Sequence, residues 1–138
     1  MTVVGRHARK LAIAERFGAH TAAPGELPAK SLPWVVEATG AAAGLADAIA
    51  LVRPGATLVL KSTIAGHVAL ATSAIVVDEI TIVGSRCGAF APAIAALEDR
   101  SVDPTLLVDH VVPLAEAPRA LELAGTAGVL KVLIDARS

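Results

Sequence analysis

The 138-residue sequence has no Tyr, two Phe, and only one Trp and one Cys. A lone Cys87 excludes a disulfide within the chain and suits a reducing compartment. No Cys/His cluster has the spacing of a structural zinc site. Long apolar runs are also lacking. The longest uncharged one, Ser62 to Val77, contains Gly66 and His67 and falls short of the roughly 20 residues that a spanning helix needs. Charge of one sign is scarce: the net charge is -1 and the pI about 6.4. With no basic block, nucleic acid is not indicated as a partner. The opening Met1-Thr2-Val3-Val4-Gly5-Arg6 is not a signal peptide. Together these features lead us to expect a cytoplasmic protein with no membrane partner.

Aliphatic mass is plentiful. The chain is 54% hydrophobic with a mean hydropathy of +0.64, almost all of it Ala, Val, Leu and Ile. That composition suits short buried strands covered by Ala-rich helices. Gly and Pro punctuate it at regular intervals. Thr2 to Val4 reads as a strand and Ala8 to Phe17 as a helix, with Leu11, Ala14 and Phe17 on one face and Gly18 as its stop. Residues 20–33 hold Pro24, Gly25, Pro28 and Pro33 and read as a loop or edge segment. Trp34 to Ala38 reads as a strand ending at Thr39-Gly40. A helix follows, with Leu45, Ala48, Ile49 and Val52 at i, i+3, i+4 and i+7, ended by Pro54-Gly55. Thr57 to Leu60 and Ile80 to Val83 read as strands, and Pro92 to Leu97 as a helix. Leu106 to Val112, Ala115 to Ala124 and Val129 to Ile134 read as strand, helix and strand, with Pro118 tolerated in the first turn. Strands alternating with helices of this length predict crossover units and a parallel sheet.

Several stretches resemble one family in order and spacing. Val3-Val4-Gly5-Arg6-His7-Ala8 through Phe17-Gly18-Ala19 is similar to the second strand and following helix of the medium-chain dehydrogenase/reductase superfamily. Val35-Val36-Glu37-Ala38-Thr39-Gly40 resembles its fourth strand. Leu45 to Leu60, with Arg53-Pro54-Gly55-Ala56-Thr57, resembles the next helix and strand. Val102-Asp103-Pro104, Pro113 to Ala117, Ala120 and Gly128-Val129-Leu130-Lys131-Val132 look like the return to the catalytic domain. The zinc-dependent alcohol dehydrogenase branch, threonine dehydrogenase-like, fits best. The resemblance implies an α/β fold: a partial Rossmann-type doubly wound parallel sheet lacking the first strand and its Gly-rich turn. No G-x-G-x-x-G occurs in the sequence. It divides the chain into a truncated dinucleotide-binding domain, 1–105, and a C-terminal segment, 106–138. No catalytic residue and no metal ligand is assigned; zinc belongs to the family's other domain.

The resemblance implies a nicotinamide dinucleotide as cofactor, NADP or NAD. NAD-preferring relatives place an acidic residue at the end of the second strand. Here Gly5 and Arg6 stand there, leaving room and charge for a 2′-phosphate, so NADP is favoured, with Lys10 adding charge. Arg6, Arg9 and Lys10 read equally well as a solvated basic face. Thr39 falls near the adenosine side, or caps the following helix. Lys61-Ser62 and Ser85-Arg86 border the nicotinamide side, or carry ordinary loop charge. Lys131 matches a position held against the pyrophosphate. Cys87 reads as a packed thiol, and His7, His20, His67 and His110 as surface or loop residues.

Three functions follow from these readings. The first is the cofactor-binding part of an NAD(P)-dependent alcohol dehydrogenase-like oxidoreductase, inactive alone. The second is a non-catalytic dimerisation module or decayed nucleotide-binding remnant. The resemblance implies a homo-oligomer through strands near 75–83. The third is an unrelated flavodoxin-like domain, for which Gly5-Arg6-His7 is a poor phosphate turn. Without the central strand of the order 3-2-1-4-5-6, the second and fourth strands have open edges. Marginal stability or self-association is the expected result.

Overall fold

A computed structural model describes residues 1–64 and 66–137. Ala65, inside the apolar Ser62–Val77 run, lies outside the described residues. The chain forms two compact units, Met1–Cys87 and Gly88–Ser138.

The first unit begins with β1 (Thr2–Val4), α1 (Ala8–Arg16) and β2 (His20–Ala22). β1 and β2 pair in parallel, with Val3 opposite Thr21. Arg16 sits in the last turn of α1, where a cation suits the helix dipole. Gly18, at φ +77°, turns the chain out of it. Leu11 and Ala14 are half-buried as expected, but Phe17 has left the helix and is 54% exposed.

A second parallel sheet follows: β3 (Leu32–Glu37), β4 (Val52–Leu60) and β5 (Thr81–Gly84), in the order β3-β4-β5. Its crossovers contain α2 (Ala42–Leu51) and α3 (Thr72–Val77). The last carbonyls of α2 are not wasted, since Lys30 and Ser31 donate their amides to Ala50 and Leu51. Val52 is not the last helical position of the i, i+7 pattern but the first residue of β4, and it is fully buried there. Pro54-Gly55 does not end the helix either. It lies within β4, where the pairing with β3 jumps from Leu32↔Val52 to Trp34↔Thr57. That irregularity frees Pro54 from ladder bonding.

The register sorts the strands' side chains into rows. Val35, Leu58 and Ile82 stand side by side on one face. They meet Leu45, Ala48 and Ile49 of α2, together with Ala74 and Ile75 of α3, in a core centred on Leu58 and Val52. Trp34, Thr57 and Thr81, then Val36, Val59 and Val83, form the rows on the other face. Trp34, Val36 and Val83 are 67%, 61% and 45% exposed.

Residues 75–77, expected among pairing strands, are helical in α3; only Thr81–Gly84 is strand in that region. Asp78 and Glu79, with Glu79 at φ +50°, end the helix and turn into β5. Among the described residues, β1 pairs only with β2, and β3 only with β4. This is the topology of a doubly wound sheet without its central strand.

The second unit contains α4 (Phe90–Glu98), β6 (Val108–Pro113), α5 (Ala117–Ala124) and β7 (Lys131–Asp135). Residues 104–107 and 114–116 are short 3₁₀ turns, so the Leu106 strand start and the Ala115 helix start each move inward. Asp103 caps the first turn, accepting the Thr105 amide. β6 and β7 are parallel across the α5 crossover, and Ala120 of α5 is buried. No described helix is long and apolar enough to cross a membrane.

Candidate functional site

Parallel strands present their C-terminal ends together, and crevices there are where such sheets bind ligands. β3, β4 and β5 end at Glu37, Leu60 and Gly84. Thr39, Lys61, Ser62, Ser85 and Arg86 therefore lie along one edge. They are stitched across it. The Lys61 amide donates to the Glu37 carbonyl at 2.9 Å, and the Ser85 amide to the Leu60 carbonyl at 2.9 Å. The Gly40 amide donates to Ser62 Oγ at 2.7 Å. Lys61 Nζ donates to the Arg86 carbonyl, so the lysine ties two loops rather than reaching freely into solvent.

Thr39 does not occupy the cap position of α2; that position is Ala41, whose side chain makes no cap bond, although the Ala41 amide donates to Thr39 Oγ1 at 3.2 Å. Thr39 instead donates its hydroxyl to Glu37 Oε1 at 2.6 Å and its amide to the same oxygen at 2.7 Å. On its other side is Gly44, where a Cβ would fall 1.9 Å from Thr39 Oγ1. Glycine is required there by the approach of helix to turn. Gly40, at φ +73°, completes the turn in a conformation that few other residues adopt cheaply.

Glu37 was not among the sequence candidates, although it closes the Val35-Val36-Glu37 strand end. It is 2% exposed. Burial pulls its carboxyl up, but the hydroxyls of Thr39 and Ser62 and the amides of Thr39 and Gly40 together outweigh that and hold it below the ordinary glutamate value. A lone acid at the end of an apolar strand, followed by Ala38-Thr39-Gly40, was the signal available in the sequence.

Gly5, Arg6 and Lys10 lie at the end of β1 and the start of α1 in the other sheet of the same unit. Arg6 pairs with Asp47 of α2 at 3.6 Å, with both side chains exposed, so solvent screens the attraction. Lys10 is exposed. A cleft of about 310 Å³ opens beside this pair, lined by Val4, Ala23, Pro24, Gly25, Leu27, Ala29, Asp47, Ala50 and Leu51. Lys131 is exposed at the start of β7, in the second unit. Cys87 is exposed rather than packed. All four histidines are exposed, His20 and His110 on strands. Among the described residues, no three His, Cys, Asp or Glu gather to hold a metal ion.

No protein-family model matches the chain. It is 35% identical over 104 residues to D-arabinitol dehydrogenase 1 of Uromyces fabae, across 72% of this chain and 30% of that protein. L-idonate 5-dehydrogenase of Escherichia coli K-12 superposes with a TM-score of 0.86 at 18% identity, over 96% of this chain and 42% of its own. A Sinorhizobium meliloti 1021 protein of zinc-binding dehydrogenase description, bound to NADP, gives 0.81 at 23% identity, over 96% and 44%. An Escherichia coli CFT073 protein described as a short chain alcohol dehydrogenase, complexed with NADH, gives 0.78 at 20%, over 96% and 43%. The chain thus spans less than half the length of each of these relatives. Order of elements, sheet topology and sequence likeness agree: the chain belongs to the medium-chain dehydrogenase/reductase superfamily and corresponds to the nucleotide-binding part of its zinc-dependent alcohol dehydrogenases.

Proposed function

We propose that the chain supplies the cofactor half of an NAD(P)-dependent dehydrogenase acting on an alcohol or polyol. The observation that carries this is the common edge. Thr39, Lys61, Ser62, Ser85 and Arg86 stand together at the ends of three adjacent parallel strands, and bonds from Gly40 to Ser62, Lys61 to Arg86 and Ser85 to Leu60 tie those ends together. The residues fit a dinucleotide in kind. They offer hydroxyls, amides and cations at strand C-termini, and Gly5 and Arg6 offer a small site beside a guanidinium. When bound, the nicotinamide accepts or donates the hydride.

This chain's own residues bind and orient. Thr39 presents polar atoms to the adenosine side of the edge. Lys61, Ser62, Ser85 and Arg86 border the nicotinamide side, chiefly through backbone groups. Arg6, released from its exposed pairing with Asp47, meets the 2′-phosphate with help from Lys10, so NADP is preferred. The acid, base and zinc chemistry lies with a segment outside these residues, so the chain alone does not turn over alcohols.

Fluorescence titration of the purified chain with NADPH and NADH tests this. NADPH is expected to bind more tightly, and Arg6→Ala to bring the two dissociation constants together. No binding of either nucleotide would sink the proposal. Equal affinities in the unaltered chain would remove the NADP preference.

A second reading has an observation of its own. The Trp34–Val36–Val83 face is uncovered, and β5 has a strand partner on one side only among the described residues. Both suit a non-catalytic pairing module, with two copies meeting through β5 rather than through residues 75–77. Concentration-dependent self-association without nucleotide binding would favour it.

A further inference from the structure

Two buried acidic groups in the first unit are treated very differently. Asp78, at the start of the turn into β5, is paired with Lys30 Nζ at 2.8 Å. Glu37 is the more deeply buried, and no ion pair is formed with it among the described residues. A carboxylate buried without a counter-ion is costly unless every lone pair is answered by a donor. Here the side-chain donors come from the turn after β3: the Thr39 amide and hydroxyl both reach Glu37 Oε1. The main-chain carbonyl of the same residue accepts the Lys61 amide at 2.9 Å, from the segment after β4. The Gly40 amide, next in the same turn, donates to Ser62 Oγ at 2.7 Å, so the two segments are joined through Glu37 and the turn that it holds. Gly44 of α2 packs against Thr39 from behind.

Bonds to a charged acceptor are roughly twice as strong as those between neutral groups. A Gln in the same place would keep the shape and lose that strength. The charge therefore adds rigidity where strand ends otherwise fray. Rigidity in the unbound state lowers the ordering cost of binding.

We propose that Glu37 is a positioning residue for the cofactor edge: from the covered face of the sheet it holds the Thr39-Gly40 turn where Gly40 bonds Ser62, so that two strand ends offer the nucleotide one preformed surface. This rests on the reading of that edge as the NAD(P) site.

The test joins NADPH titration to amide hydrogen exchange on the full chain, comparing it with Glu37→Gln and Ser62→Ala. The second variant removes the acceptor of the Gly40 amide while keeping the charge. Both are expected to raise the NADPH dissociation constant, Glu37→Gln by about tenfold, the scale of one lost charge-assisted bond, and Ser62→Ala by about threefold, nearer that of a neutral one. Both should speed exchange at Thr39, Gly40 and Ser62, with Leu58 and Ile82 unchanged. If the chain binds NADPH and neither variant weakens it, the positioning role is wrong and the cofactor reading survives. If the unaltered chain binds no nucleotide, the cofactor reading falls and takes this role with it. Loss of protection at Leu58 in both variants would show a general support of the fold, and overturn a local clasp.

Discussion

The two faces of the β3-β4-β5 sheet are built from the same strands, yet they live in different surroundings. On one, Leu58 is fully buried and Val35 and Ile82 pack beside it against α2 and α3. On the other, one step along each strand, Trp34 and Val36 are more than half exposed. Composition does not separate them, since both faces are apolar. What differs is whether a helix lies over them. Both helices inserted in the β3-to-β4 and β4-to-β5 crossovers pack on the same side. The lesson is that an apolar run reports capacity for burial on both faces, while burial itself depends on which neighbours the chain supplies.

The comparison can be broken most forcefully at its buried centre. Leu58→Ala should cost about 2–5 kcal/mol in urea unfolding, the range for a leucine truncated in a packed core. A loss under about 1 kcal/mol would mean that the covered face is not the core. A smaller effect sharpens the same side. Because Glu37 has a lowered pKa when folded, its stabilising contribution is complete above its unfolded value, about pH 4.3. That contribution is lost as pH falls through the folded value. Asp99 and Asp103 are lowered as well and act in the same direction, so the comparison is made against Glu37→Gln. The stability difference between the chain and this variant should shrink on acidification; a difference that is constant from pH 7 to pH 3 would contradict the ionised carboxylate. The smallest expected change is on the open face. The double substitution Trp34→Ser, Val36→Thr should move the monomer's stability by only about 0.5 kcal/mol per site. Its readout is association: sedimentation should show less oligomer than the unaltered chain, since an exposed apolar face beside open strand edges favours pairing. A cost like that of Leu58→Ala would show the face to be covered after all.

Much of the fold was legible because its signals are local. Gly18 and the Leu11–Ala14 spacing announced α1, the Val35–Glu37 run announced β3, and the crossover rhythm announced parallel strands. Boundaries were misread where one pattern served two ends. Val52 continues a helical spacing from Leu45, and nothing nearby says that the chain straightens at Leu51; its pairing with Leu32, twenty residues away in sequence, decides that. The Ile75–Val77 run suits a strand as well as a helix, and packing of Ala74 and Ile75 on the β4 face selects the helix. In the candidate site, Thr39, Lys61, Ser62, Ser85 and Arg86 were found because strand ends can be located from turn residues. Glu37 was passed over because an acid in a strand usually faces water. Only its donors, the amide and hydroxyl of Thr39 in the turn that follows, explain why it does not.

By itself, the sequence determined the kind of fold, its parallel crossovers and the family, since periodicity, glycine stops and motif order are written along the chain. Tertiary structure alone decided which sheet face is covered, that Arg6 faces Asp47, that Gly44 must stay small beside Thr39, and that a buried acid holds the turn whose Gly40 reaches Ser62. Those facts depend on distances between residues remote in sequence, and the balance of desolvation against hydrogen bonding is settled only when they meet.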